Sequence, residues 1–252
     1  MQLQNKVAIV TGAARGLGRA YAEAMAGEGA AIVACDINDC SDTVAAIDAA
    51  GGRAVAAVTD IANMASCNAM ADVALQSFGK INILVNNAAL YAGLKGARFE
   101  NLEEVQWDAV MNINIKGLWQ SCKAVVEPMR AAGGGSIINI ASLAAVYGMP
   151  YGLDYVASKA AVIGMTRGMA RELGGDKIRV NAVAPSAVLT EGTTEFFGEK
   201  LEKAKSVIAS GQVIQRNLQP VDLTGTIVYL ASDNSAFVTG QTHMVDGGSW
   251  FL

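Results

Sequence analysis

The chain has 252 residues, 52% of them hydrophobic and 17% charged, with 27 glycines, four prolines and a formal net charge of -4. That length fits one large α/β unit with a sizeable core, and no linker, charge block, low-complexity tract or repeat marks a second domain within 1–252. The acidic balance excludes a nucleic-acid binder built on a concentrated basic face; scattered Cys35, Cys40, Cys67 and Cys122 exclude a disulfide framework; a lone His243 excludes a zinc cluster, so no metal is expected.

The first residues, MQLQNKVAIVTG, enter a strand at once and lack the basic, apolar and small-residue segments of a signal peptide, which gives a cytoplasmic expectation. The strand, residues 7–10, runs into Thr11-Gly12 and Arg15-Gly16-Leu17-Gly18 and then an Ala-rich helix over 19–28. Glycines at such a junction let a backbone approach closely, and a helix N-terminus offers free N–H groups to a pyrophosphate.

A second strand, 30–35, leads to Asp36. A carboxylate there accepts hydrogen bonds from an adenosine ribose and repels a 2′-phosphate, favouring NAD over NADP; an ordinary turn aspartate is the alternative, since Asn38 and Asp39 share the loop. Arg15 argues the other way, as a base that pairs with a 2′-phosphate, but no Arg or Lys directly follows Asp36.

A third strand over 53–59 ends at Asp60-Ile61, a helix follows over 63–78, and a fourth strand, 81–85, ends in Asn86-Asn87-Ala88-Ala89. Near-continuous apolar strands alternating with helices predict a parallel sheet covered on both faces, a doubly wound Rossmann-type fold. The paired asparagines either satisfy a turn or form a wall beside a ligand at the strand ends.

Residues 102–130 read as one long helical region, in which Asn114 sits among apolar neighbours and needs a partner. It either closes a helix-bend network or holds a water. A fifth strand, 136–141, delivers Ser142 to the rim that already holds Gly12, Asp36 and Asn86.

Tyr155 and Lys159 then fall one turn apart on a helix, which places a phenol and an ammonium on one face. A nearby cation favours phenolate, making the tyrosine a usable acid or base; taken alone, the pair reads first as an ordinary exposed pair, and the surrounding chain must overturn that. A sixth strand, 178–184, precedes Pro185-Ser186 and the stretch to Thr190. Residues 191–216 are polar and helix-prone, and 186–216 is expected to form a substrate flap. A helix over 220–231 and a strand over 241–245 complete about seven strands.

In combination, Thr11-Gly12-x-x-x-Gly16-x-Gly18, Asp60, Asn86-Asn87-Ala88, Asn114, Ser142, Tyr155-x-x-x-Lys159 and the 181–190 segment resemble the short-chain dehydrogenase/reductase family, over essentially the whole chain. The resemblance implies a one-domain NAD(P)-binding oxidoreductase with Asn114, Ser142, Tyr155 and Lys159 as catalytic tetrad. By that resemblance Tyr155 is the general base or acid, Ser142 binds the reacting oxygen, Lys159 binds nicotinamide ribose and lowers the phenol's pKa, and Asn114 holds a proton-relaying water. Gly12, Arg15, Gly16, Leu17, Gly18, Asp36, Asp60, Ile61, Asn87, Ala88, Pro185, Val188 and Thr190, with Tyr155 and Lys159, are the expected cofactor contacts.

The family pattern has glycine where this chain has Ala89 and Ser186, which puts the path near the nicotinamide in question. The 185–194 stretch and the C-terminal run are similar to bacterial NAD-dependent secondary-alcohol dehydrogenases acting on aryl or alicyclic substrates. Leu90, Tyr91, Leu143, Ala144, Tyr147, Met149, Tyr151, Phe196 and Phe197 are the expected substrate pocket, suited to a hydrophobic secondary alcohol or ketone. Alternatives are an NADPH-dependent 3-oxoacyl thioester reductase, disfavoured by Asp36, and a non-catalytic NAD-binding sensor. The family implies a homotetramer. Gly164 and Gly168 offer a close-packing helix face for it, or for the chain's own sheet. The longest uncharged stretch, 131–153, contains three consecutive glycines, Asn139 and Pro150, and reads as loop, strand and loop rather than a membrane span.

Overall fold

The computed structural model describes residues 1–251, which form one seven-stranded parallel sheet. Strands β1 (Val7–Thr11), β2 (Ala31–Asp36), β3 (Arg53–Val58), β4 (Ile83–Asn86), β5 (Gly135–Ile140), β6 (Ile178–Pro185) and β7 (Thr242–Val245) lie in the order β3-β2-β1-β4-β5-β6-β7. The order reverses between β1 and β4, and their carboxyl ends open a crevice of the kind that binds ligands in doubly wound sheets.

Both faces of the sheet are covered, so its inner strands are mainly apolar. Ala8 and Val10 of β1 turn to one face, where Tyr21 and Met25 of α1 (Gly16–Gly27), Ile47 of α2 (Ser41–Ala49) and Leu223 and Ile227 of α10 (Val221–Ala231) pack on them. Val7 and Ile9 turn to the other, against Met70 and Ala74 of α3 (Met64–Phe78), Val125 and Met129 of α5 (Leu118–Ala131) and Val162 of α7 (Leu153–Leu173). Each such fully buried aliphatic side chain contributes about 2 kcal/mol. The edge strands β3 and β7 are only partly covered.

One difference from the sequence expectation bears on the site. The region read as one helix over 102–130 is three pieces: α4 (Glu104–Met111), a π-helical turn over Asn112–Gly117, and α5. The flap segment is folded as α8 (Glu191–Phe197), a 3-10 turn and α9 (Leu201–Ser210). Helix α2 and the one-turn α6 (Ala144–Tyr147) were not expected as elements.

A buried polar ladder ties the middle of the sheet to α7. Asn86 donates to Asn139 Oδ1 at 2.9 Å and to Cys122 Sγ at 3.2 Å, and Asn139 donates to Thr166 Oγ1 at 2.9 Å. Asn86 takes neither of the two readings of the asparagine pair: its side chain serves the sheet interior.

Candidate active site

The carboxyl end of β1 is stitched to that of β4 by Thr11, whose Oγ1 donates to Val85 O and accepts from the Asn87 and Ala88 N–H groups, both at 3.1 Å. Asn87 returns its amide to the carbonyls of Thr11 and Gly12, at 3.0 and 3.2 Å. The glycine loop is thus clamped over the switch point. Gly18 is obligatory there, because a Cβ would meet Gly12 O at 2.0 Å, and Gly16 holds φ +57 with nothing nearer than 3.6 Å above it.

Helix α1 begins uncapped: Arg15 at its N-cap makes no side-chain capping bond, and no acid lies in the first turn. Its free N–H groups and dipole sit beside a cavity of about 1090 Å³ whose wall includes Gly16, Leu17 and Asn87. An uncapped helix end, a glycine cradle with space above it and a large adjoining cavity fit the pyrophosphate of a dinucleotide.

Asp36 lies outside the cavity wall and bears on it through the glycine loop. Its Oδ2 accepts from Ala14 N at 3.2 Å and its Oδ1 from the Asn38 N–H and amide, at 3.0 and 3.1 Å, so it orders both its own turn and the glycine loop. Arg15 borders the cavity with its guanidinium engaged by both carboxylate oxygens of Glu195 on α8. Asp60 and Ile61 lie outside the cavity wall: they follow an edge strand two positions from the switch point. The Asp60 carboxylate accepts from Ala62 N, and Ile61 packs where a Cβ on Gly117 would stand.

On the far side, Ser142, Tyr155 and Lys159 converge on the same cavity. Ser142 leaves β5 and its Oγ accepts from Ala144 N at 3.2 Å. Lys159 is buried and donates from Nζ to Ile140 O at 2.7 Å, with Nζ 5.8 Å from the Tyr155 ring centre. Burial pushes the Tyr155 phenol up to about 12, with a hydrogen bond to Ser142 pulling it back, and burial pulls the Lys159 ammonium down to about 8. The expected depression of the phenol by Lys159 is not found in the protein alone: removing the phenolate from water dominates, and the lowering comes from Ser142.

The Asn114 side chain ties its helical segment to Leu90 and Ser158. Its Oδ1 accepts from Leu90 N at 2.7 Å, and its Nδ2 donates to Leu90 O at 3.2 Å and Ser158 Oγ at 3.1 Å. Leu90 is thereby an anchor outside the cavity wall, and the π turn is what aims Asn114 at it.

Among the expected pocket residues, Tyr91, Leu143, Ala144, Tyr147, Met149 and Phe197 border the cavity. Phe196 backs it, stacked on Tyr91 at 4.7 Å and 17°, while Tyr91 lies 5.2 Å from Tyr155. Tyr151 is a correction: it holds φ 63 in the turn before α7, is 65% exposed, and lies off the cavity. The departures from the family pattern both line the wall, and Ser186 Oγ pairs with the buried Gln212 side chain at 3.2 Å, fastening the far end of the flap segment. Sequence reasoning missed Ser249 and Trp250, which reach the cavity from beyond β7, and the inner side of α9. The spacing of Ala204, Val207 and Ile208 was the available signal for the latter.

This arrangement defines an oxidoreductase built on a nicotinamide-binding fold. A family model described as Enoyl-(Acyl carrier protein) reductase matches residues 12–249. The chain is 38% identical over 251 residues to a 3-oxoacyl-[acyl-carrier-protein] reductase of Thermotoga maritima, covering 98% of this chain and 99% of the relative. Among solved structures it resembles carveol dehydrogenase from Mycobacterium avium in complex with NAD, with TM-score 0.94, 30% identity and 98% of each chain covered. It also resembles a protein from Beutenbergia cavernae described as an NAD(P) dependent gluconate 5-dehydrogenase with bound NADP at low occupancy, with TM-score 0.90, 33% identity and 98% of each chain covered. The chain belongs to the short-chain dehydrogenase/reductase family. Among the described residues no helix is long and apolar enough to cross a membrane.

Proposed function

We propose that the protein interconverts a hydrophobic secondary alcohol and its ketone with NAD. The observation that carries this is the meeting of Ser142, Tyr155 and Lys159 on one cavity with the uncapped glycine-loop helix. Nicotinamide, when bound, supplies the acceptor or donor of the hydride. Tyr155 takes the hydroxyl proton in oxidation and returns it in reduction, and Ser142 holds the same oxygen. Lys159 bears on the phenol and the nicotinamide ribose. Asn114 fixes the 90-loop and Ser158 beside them, so that it acts through the backbone it positions.

For the cofactor, Asp36 beside the glycine loop disfavours a 2′-phosphate, and the engagement of Arg15 by Glu195 removes the cation that would receive one. Gly16, Leu17, Asn87, Pro185, Val188 and Thr190 are proposed as its other contacts along the cavity. The aromatic and aliphatic wall at Tyr91, Leu143, Tyr147 and Met149 supports a hydrophobic, aryl or alicyclic substrate, with residues 186–216 as its flap. Steady-state turnover of a panel of hydrophobic and polar secondary alcohols with NAD and with NADP tests both points. Activity confined to sugars, or a clear NADP preference, overturns the corresponding half.

The likeness to the Thermotoga maritima reductase favours one second reading, an NADPH-dependent 3-oxoacyl thioester reductase. Faster reduction of an acetoacetyl thioester with NADPH than of any simple ketone with NADH establishes it instead. Assembly as a homotetramer in the cytoplasm completes the proposal. A Cβ at Gly164 or Gly168 would meet nothing within 4 Å, which leaves that face of α7 free for another subunit, and sedimentation measures the assembly.

A further inference from the structure

The inner side of α9 carries a pattern that an apolar substrate alone does not explain. Residues 200, 203, 204, 207, 208 and 211 all border the cavity, and they follow one another at the three- and four-residue steps of a single helical stripe. At the C-terminal end of the stripe stand Val207 and Ile208, with Val207 61% exposed toward this opening. At the N-terminal end, where the same periodicity calls for apolar residues, stand Lys203 and, in the 3-10 turn just before α9, Lys200.

Both lysines are exposed and neither forms an ion pair among the described residues. Of the neighbouring acids, Glu202 pairs with Lys205 at 2.7 Å off the stripe, Glu195 is held by Arg15, and the exposed Glu199 forms no ion pair with either lysine and does not border the cavity. Glu191, the acid in the cavity wall, lies at the opposite end, with its Oε2 3.6 Å from the Cβ position of Gly16. Like charges a turn apart on a helix weaken it slightly, so the pair is a local cost unless an anion sits between them.

We propose that the substrate carries an anionic oxygen group, a carboxylate or a phosphate monoester, at the end of its apolar body remote from the reacting carbon, and that Lys200 and Lys203 receive it. This rests on the alcohol dehydrogenase reading above and narrows its substrate class. The apolar part of the stripe covers the body of the substrate, and the ammonium groups at the mouth select its end. Because both are solvated, their effect is on capture and orientation rather than on the chemical step.

The test uses secondary hydroxy acids of increasing chain length, each compared with its methyl ester, and one phosphate-ended analogue, with NAD. The expected result is a preference in kcat/KM of about tenfold for an anionic form over the ester, at one chain length, falling as salt is raised. Lys200→Ala with Lys203→Ala together reduce that ratio to near one, each alone by about threefold, whereas Lys205→Ala on the outer side leaves it unchanged. A purely structural role for the lysines lowers both forms together and leaves the ratio intact, which overturns the proposal. Equal use of acid, phosphate and ester by the unaltered protein overturns it as well and leaves the dehydrogenase reading standing. Failure to oxidise any of them overturns that reading itself.

Discussion

The two halves of the cavity are held by different physics. The catalytic rim is built from buried and half-buried groups bonded mainly to backbone: Lys159 on Ile140 O, Asn114 on the Leu90 backbone and Ser158 Oγ, Asn87 on the glycine loop. The flap segment is tied by backbone near its two ends, Ser186 N to Val245 O, Leu189 N to Leu218 O and Ile214 N to Gly247 O, and its helices between them are held by the exposed Arg15–Glu195 pair and the stacking of Phe196 on Tyr91. Buried bonds to backbone are costly to leave unmade, whereas exposed ion pairs contribute little. Chemistry is therefore assigned to the rigid half and substrate choice to the half that can rearrange.

The largest effect that would break this division is at Tyr155. Tyr155→Phe is expected to lower turnover by about a thousandfold while NAD binding, followed by fluorescence titration, persists; near-normal turnover would remove the rim from the chemistry. Asn114→Ala strands the Leu90 N–H, its carbonyl and Ser158, and a loss of about 3 kcal/mol in denaturant unfolding is expected. A loss no greater than that of an exposed substitution would show the rim to be less rigid than described.

Cofactor choice sharpens the comparison, because Asp36 belongs to the rim. Asp36→Ala should erode the NAD over NADP preference in kcat/KM by about tenfold, one carboxylate's worth of repulsion. Lys159 adds a pH signature. Its native value of about 8 lies below the ordinary 10.5, so between them the unfolded chain binds more protons. The penalty for burying the ammonium is full below pH 8 and is relieved as pH rises to 10.5. Urea midpoints of the wild type should accordingly gain on those of Lys159→Met across that window when other titrations are common to both. The smallest effect is expected at the flap: Glu195→Ala should change the KM for NAD by less than about threefold and leave the unfolding midpoint in place.

The fold was legible because a doubly wound sheet writes itself in apolar runs alternating with helices, and the reversal of strand order follows the glycine turn at the end of the first run. The meeting of Ser142 with Tyr155 and Lys159 was legible for the same reason, since Ser142 leaves a strand end on the shared rim. What escaped was set by long-range geometry. A π turn needs one extra residue in a helix whose periodicity is otherwise intact, so 102–130 read as unbroken. Tyr151 read as pocket because it lies between two pocket residues and the catalytic helix, but a left-handed turn points it out. Ser249 and Trp250 reach the cavity only because β7 is the last strand of the sheet. The direction of the Tyr155 shift depended on burial, which a neighbouring lysine in sequence does not report.

The ladder from Asn86 through Asn139 to Thr166 has a consequence for the catalytic helix as a screw. Thr166 follows Tyr155 by eleven residues and Lys159 by seven, so at 100° per residue both are within about 20° of its azimuth. The hydrogen bond from Asn139 acts as a pin through the thread: α7 cannot turn about its axis or advance along it without drawing Thr166 off the amide. The angle at which a phenol and an ammonium face their reactant is thus keyed from inside the sheet, two to three turns away from where it is used.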